Sequence, residues 1–175
     1  MLWDSRKRAA PRTDVGAHRL PDLGPRGEGW VLLQLVLFGF VAISGFVAGP
    51  EWSGWPRIAS IAAGVVAIGL GGFLTLRGIL DLRENLTPFP RPLENAHLIE
   101  SGAYRLVRHP IYGGGIVAAA GWGLATASPL ALFGSFVLGV FFDLKSRREE
   151  IWLSESFEDY PAYRSRTRRL LPWVY

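Results

Sequence analysis

Charge disappears from three long stretches of this chain, and those gaps set its architecture. From Trp30 to Gly49 it reads WVLLQLVLFGFVAISGFVAG, twenty residues without an ionisable side chain. At about 1.5 Å per helical residue, that length matches a hydrocarbon layer of roughly 30 Å. Nineteen more uncharged residues run from Ile58 to Leu76, bracketed by Arg57 and Arg77 and rich in Gly and Ala, which let membrane helices approach closely. The third gap, Pro110 to Phe142, covers thirty-three residues, too long for one span. Ser128-Pro129 is its natural break, because proline disfavours helical geometry in the residue before it and lacks the N–H a continuing helix needs. An ionised side chain at mid-bilayer costs roughly 2.5 kcal/mol or more, so the gaps are meaningful. The pattern predicts an all-α integral membrane protein with four transmembrane helices, at about 30–49, 58–82, 111–127 and 130–153. The last two form a C-terminal helical hairpin, followed by a tail over 154–175. The final helix is expected to continue past the apolar layer through Asp143-Leu144-Lys145-Ser146-Arg147-Arg148-Glu149-Glu150.

Charge distribution sets the orientation. Of 19 Lys and Arg, residues 1–29 hold six, 77–109 five and 143–175 seven, leaving only Arg57 in the 50–57 turn. With four spans the three rich segments share a side, which the positive-inside rule makes cytoplasmic, so both termini are expected there. The basic pI of about 9.8 follows from that asymmetry, and no nucleic-acid partner is expected. Composition agrees: 49% of the 175 residues are apolar and 19% charged, against about 25% in soluble domains. The absence of cysteine removes disulfides, thiolate metal sites and cysteine nucleophiles, and no metal-ligating set stands out. Residues 1–29 lack an apolar signal core. Arg6-Lys7-Arg8 followed by Pro11, Pro21, Gly24 and Pro25 reads as a flexible basic cytoplasmic leader ahead of a single membrane domain over 30–175.

Candidate chemistry gathers on the cytoplasmic side. In Arg108-His109-Pro110-Ile111-Tyr112-Gly113-Gly114-Gly115 the proline suits the first turn of the third span, with Tyr112 beside unpaired helix N–H groups that would donate to a ligand carboxylate. The three glycines leave room for a bulky group against the backbone. Taken alone, the stretch reads equally well as an interfacial anchor of Arg, His and Tyr. Lys145 and Glu149 are four apart and share a helix face; as an isolated pair they are a surface salt bridge of little worth. The hairpin changes that reading, because it brings His109 and Tyr112 beside Lys145, Glu149 and Glu150. The tail carrying Tyr160, Tyr163 and Trp173 is either an interfacial amphipathic segment or a lid folded over a cofactor.

Several pieces in order, Leu98-Ile99-Glu100-Ser101-Gly102-Ala103-Tyr104, Arg108-His109-Pro110-Ile111-Tyr112, Glu149-Glu150-Ile151-Trp152-Leu153, Tyr160, Tyr163 and Leu170-Leu171-Pro172, occupy the last half of the chain. Together they resemble the isoprenylcysteine carboxyl methyltransferase and phospholipid methyltransferase group, integral-membrane enzymes that use S-adenosylmethionine. The resemblance implies a cofactor pocket lined by Ala96, His97, Leu98, Ile99, Tyr104, His109, Pro110, Ile111 and Tyr112, with Glu149 at the polar end of the cofactor. Lys145 stands where eukaryotic members carry an arginine near the acceptor carboxylate. It keeps the charge and loses the bidentate fork. A carboxylate acceptor needs no general base, whereas an amine or hydroxyl would draw on His109 or Glu150. Lys145 and Glu150 are therefore the candidate catalytic pair. The implied partners are adenosylmethionine, a lipid-like or apolar acceptor and the bilayer, with a homodimer open through the small-residue faces of the first two spans. Asn85-Leu86-Thr87-Pro88-Phe89-Pro90 resembles a loop of bacterial relatives. Competing readings are an NADPH-dependent membrane reductase of the sterol-reductase type and a non-catalytic membrane protein.

Overall fold

The computed structural model describes residues 20–47, 49–50, 53–93, 95–172 and 174–175. The leader residues Arg6, Lys7, Arg8 and Pro11, and Trp173 of the tail, lie outside the described residues. Among these residues five α-helices follow one another: α1 (Glu28–Ser44), α2 (Gly54–Leu82), α3 (Pro110–Thr126), α4 (Pro129–Ser156) and the short α5 (Tyr160–Arg166). A 3-10 turn, Arg83–Asn85, extends α2, and another, Gly102–Arg105, precedes α3. No strand occurs among the described residues; one isolated parallel bridge joins Val107 to Arg168.

The close packing of α2 on α3 follows from glycine spacing. The buried residues of α2 are Gly64, Gly71 and Gly78, seven apart, so they form one stripe of the helix. A β-carbon on Gly71 would lie 2.5 Å from the backbone of Gly114 and Ala118; one on Gly64 would meet Gly121 and Ala125 as closely. Ser60 Oγ donates to the Leu124 carbonyl at 2.7 Å, adding a hydrogen bond across the same seam. The small-residue face of α2 is thus used within the chain. Its other faces expose Val66, Leu70 and Phe73.

α3 passes into α4 through Ala127, left-handed at φ 51°, and Ser128. Ser128 Oγ caps α4 by accepting from the Ala131 N–H and donates to the Ser44 carbonyl at 2.7 Å, anchoring the bend to the end of α1. α1 stops at Ser44, short of the expected Gly49. There Gly45 backs onto the Trp122 indole, and the chain tightens through Phe46 N–H to Ile43 C=O and Val47 N–H to Ser44 C=O. α2 begins at Gly54, ahead of the expected Ile58, and α4 runs without interruption through the charged stretch to Ser156.

Trp30 and Val41 of α1, Ala119 of α3, and Leu138, Phe141 and Phe142 of α4 make the apolar core. Outside it, Leu32, Leu35 and Ile43 of α1 and Phe133 and Phe136 of α4 are exposed, a belt too large for a soluble monomer. Two helices, Gly54–Asn85 and Pro129–Ser156, have the length and composition to cross a bilayer. Residues 20–27, the described end of the expected leader, contact the helical bundle. Asp22 pairs with Arg148, the Pro21 carbonyl accepts from Trp30 Nε1 at 3.2 Å, and the Pro25 carbonyl accepts from Arg91 at 3.1 Å.

Gly71→Ala is expected to destabilise the folded protein in detergent by about 1–3 kcal/mol, through overpacking against the α3 backbone. Gly69→Ala, two residues away with open space around it, should be neutral or stabilising by up to about 1 kcal/mol. Thermal unfolding of the two variants side by side checks this.

Candidate active site

Where the start of α3 meets the charged half of α4, a cavity of about 340 Å3 opens, roofed by residues 86–90 and 96–99 and walled on one side by α5. That size and its mostly apolar lining are ordinary for a small-molecule site. Ala96, His97, Leu98, Ile99, Tyr104, His109, Ile111, Tyr112, Lys145 and Glu149 all line it. Pro110 does not; it is buried in the first turn of α3 against Gly78. Glu150 does not either, for a reason given below.

Position in α3 explains the aromatic floor. His109 and Tyr112 are one turn apart, so their rings lie parallel, 3° between planes and 5.4 Å between centroids. Tyr112 also stacks on Phe142 of α4 at 4.6 Å. Its hydroxyl donates to Glu149 Oε2 at 2.7 Å, and His109 Nδ1 lies 3.9 Å from the same oxygen. Glu149 is the one carboxylate in the described lining.

Lys145 and Glu149 share a face of α4 without pairing. Lys145, 1% exposed, donates instead to Gln34 Oε1 at 2.6 Å and to the Pro88 carbonyl at 3.4 Å, with its Nζ 5.0 Å from the centre of the Tyr112 ring. Among the described residues it forms no ion pair, so a buried cation faces the cavity with neutral hydrogen-bond partners, and Glu149 lies one turn further along α4. Gln34 is a site residue that reasoning from motifs missed. Its signal was present: it is the one amide in the apolar run of α1. The Asn85–Pro90 loop also acquires a position here. Asn85 Nδ2 donates to the His97 carbonyl at 2.8 Å and Asn85 Oδ1 accepts from the His97 N–H, which clasps the base of the loop over the cavity.

Glu150, 3% exposed, is the hub of an ionic knot behind the cavity wall. Its Oε1 accepts from Arg108 Nε at 2.8 Å and from Arg169 Nε at 3.2 Å; Arg169 Nη2 reaches Oε2 at 3.2 Å, and Arg164 Nε lies 3.5 Å away. His109 Nε2 approaches Oε1 to 3.4 Å. Arg108 also donates to the carbonyls of Arg164 and Thr167, while the N–H groups of Arg108 and His109 donate to the carbonyls of Arg168 and Arg169. The tail is thereby strapped onto the lead-in to α3. Gly113 makes this possible, since a β-carbon there would lie 2.0 Å from the Leu170 carbonyl oxygen. The three glycines therefore serve separate contacts: Gly113 admits the tail, Gly114 admits α2, and Gly115 faces Phe38 and Phe142.

The tail folds back, and α5 presents Tyr160 and Tyr163 to the cavity. Tyr163 donates its hydroxyl to the Tyr104 carbonyl at 2.7 Å. Burial pushes the phenols of Tyr104, Tyr160 and Tyr163 well above their ordinary pKa, so all three stay neutral hydrogen-bonding groups.

Residues 59–160, more than half of the chain, covering most of α2 and all of α3 and α4, match the family model of phospholipid methyltransferase. The chain belongs to the phospholipid methyltransferase family. It is 34% identical over 84 residues to a probable protein-S-isoprenylcysteine O-methyltransferase of Oryza sativa subsp. indica, covering 46% of this chain and 44% of that relative. A protein of the same description from Oryza sativa subsp. japonica matches with the same identity and coverage. The aligned part thus spans less than half the length of the curated relatives it matches. Family membership and the two long apolar helices make this a membrane-associated protein, and neither comparison favours a reductase.

Glu150→Gln removes the charge that holds three arginines and is expected to cost about 3–5 kcal/mol, the usual effect of breaking a buried ion pair. Trypsin should then cleave the tail at Arg164–Arg169 faster than in the unaltered protein, before the membrane helices are touched. Tail cleavage at the original rate would show that the knot does not hold the strap.

Proposed function

We propose that the chain is a membrane methyltransferase that uses S-adenosylmethionine and acts on a lipid-like acceptor at the cytoplasmic face of a four-span bundle, with both termini on that side. The observation that carries this reading is the division of charge inside one cavity. Glu149, the lone carboxylate of the described lining, lies against Tyr112, while Lys145, a cation without an ion pair among the described residues, lies against Gln34.

The residues fit such a cofactor. Glu149 supplies the negative charge that a cationic ligand needs, and the face of Tyr104 adds on the order of 0.5–2 kcal/mol of cation–π attraction. Residues 96–99 and Ile111 supply apolar surface, and His109, held between Glu149 and Glu150, keeps the Tyr112 ring aligned by stacking. Adenosylmethionine bound there supplies a methyl group on a sulfonium, open to in-line displacement. Alignment and exclusion of water are then the protein's main tasks, served by the clasped loop above and the strapped tail beside the cavity.

Lys145 supports an anionic acceptor. A buried ammonium with only an amide and a carbonyl as partners is poorly compensated, and an incoming carboxylate or similar anion completes its ion pair. Such an oxygen is already ionised and needs no general base. Glu150, enclosed by arginines behind the wall, is assigned the role of holding the tail rather than of moving a proton. An apolar groove on the lipid side, between α1 and α2 over α3, shares Ile79 with the cavity and offers room for an apolar tail beside the reacting group. The rice relatives are named for O-methylation of an isoprenylcysteine, which supports an apolar acceptor methylated on oxygen.

Purified protein incubated with membrane lipid extract and deuteriomethyl-labelled adenosylmethionine is expected to yield a labelled lipid-like product by mass spectrometry. Glu149→Gln should weaken equilibrium binding of the donor about ten- to a hundredfold, as loss of a charge-assisted contact does. Lys145→Met should raise the acceptor KM and leave donor binding near its original value. Saturable binding of NADPH with none of adenosylmethionine would overturn the proposal.

A further inference from the structure

Tyr160 is 1% exposed, lines the cavity, and has a buried hydroxyl with no hydrogen-bond partner among the described residues. A buried hydroxyl left unpaired is costly, and native proteins rarely tolerate one without a use. Its neighbour on α5 shows the contrast: the Tyr163 hydroxyl is satisfied by the Tyr104 carbonyl. The position of Tyr160 is not accidental slack in a loose tail, because α5 is fixed on both flanks. The Tyr160 N–H bonds to the Phe157 carbonyl at the end of α4, and Arg108 holds the carbonyls of Arg164 and Thr167 on the far side. Edge contact with the Tyr163 ring, 5.9 Å between centroids, sets its orientation.

We propose that the Tyr160 hydroxyl is a ligand-binding group that donates a hydrogen bond to a carboxylate or hydroxyl oxygen of adenosylmethionine in the cavity. The inference rests on the methyltransferase reading and adds a donor-binding residue to it from the C-terminal tail. The charged neighbours of Tyr160 are Glu149, Glu150 and Arg108, the group around the proposed donor end. Lys145, assigned to the acceptor, bonds instead with Gln34 and Pro88. The strap built on Glu150 thus has a purpose at the site: it carries one donor hydroxyl to a fixed place in the wall.

The test is equilibrium binding of labelled adenosylmethionine to the full chain in detergent, with Tyr160→Phe and Tyr163→Phe as the variants. Tyr160→Phe is expected to weaken donor binding about three- to tenfold, the loss of one neutral hydrogen bond. The ligand-free melting temperature and the acceptor KM should stay unchanged, since the hydroxyl has no partner in the protein itself. Tyr163→Phe should lower the melting temperature. Unaltered donor affinity in a folded Tyr160→Phe protein overturns the inference, as does a raised acceptor KM with donor affinity intact. A lowered ligand-free melting temperature, or failure of the variant to fold, also overturns it, by revealing a structural partner for the hydroxyl. If the unaltered protein shows no saturable donor binding, the methyltransferase reading falls and takes this inference with it. Normal binding there with no effect of Tyr160→Phe removes the inference alone.

Discussion

A single buried carboxylate, Glu150, joins the parts of the molecule that matter for its chemistry. It sits on α4, takes hydrogen bonds from Arg108 just before α3 and from Arg169 in the tail, and touches His109. Ionic groups removed from water are stabilising only when fully compensated, and here the compensation comes from residues far apart in the chain. The lead-in to α3, the end of α4 and the tail are therefore bound to one another rather than merely adjacent. The cavity wall made by α5 exists because this knot exists.

Below the knot, packing is governed by a different force. In lipid no hydrophobic gain draws helices together, so α2 and α3 adhere by close backbone approach at Gly64, Gly71 and Gly78 and by Ser60 reaching the Leu124 carbonyl. That seam leaves α1 paired with α4 instead of with α2, and the resulting gap is the apolar groove. The same pairing carries Gln34 to Lys145. A ligand that is polar at one end and lipid-like at the other is matched by this layout: charge and aromatic faces in the cavity, apolar surface in the adjoining groove.

Much of the site was legible because its parts lie at the ends of elements with strong local signals. His109-Pro110 marks a helix start, Ser128-Pro129 marks a bend, and a bend between two apolar helices returns Glu149 to Tyr112. What stayed hidden depends on tertiary pairing. Gln34 reaches the cavity only because α1 chooses α4, a choice that no local periodicity encodes. Glu149 and Glu150 both read as site residues, yet adjacent residues on a helix point about 100° apart, and that rotation turns one carboxylate into the cavity and the other into the arginines. The glycines after Tyr112 signalled close approach correctly, but the approaching groups are the tail at Gly113 and α2 at Gly114. The end of α1 was misjudged because hydropathy continues past Ser44 while the chain turns to accommodate Trp122.

In the proposed reading, the cavity between α3 and α4 receives the methyl donor with its cationic end at Glu149. An experimental structure of the full chain with S-adenosylhomocysteine tests it most directly. The ligand is expected to lie enclosed between residues 96–99 and Tyr112, with its ammonium within hydrogen-bonding distance of the Glu149 carboxylate. A ligand bound elsewhere on the chain, or in this cavity with its amino end turned away from Glu149 toward Lys145, would contradict it.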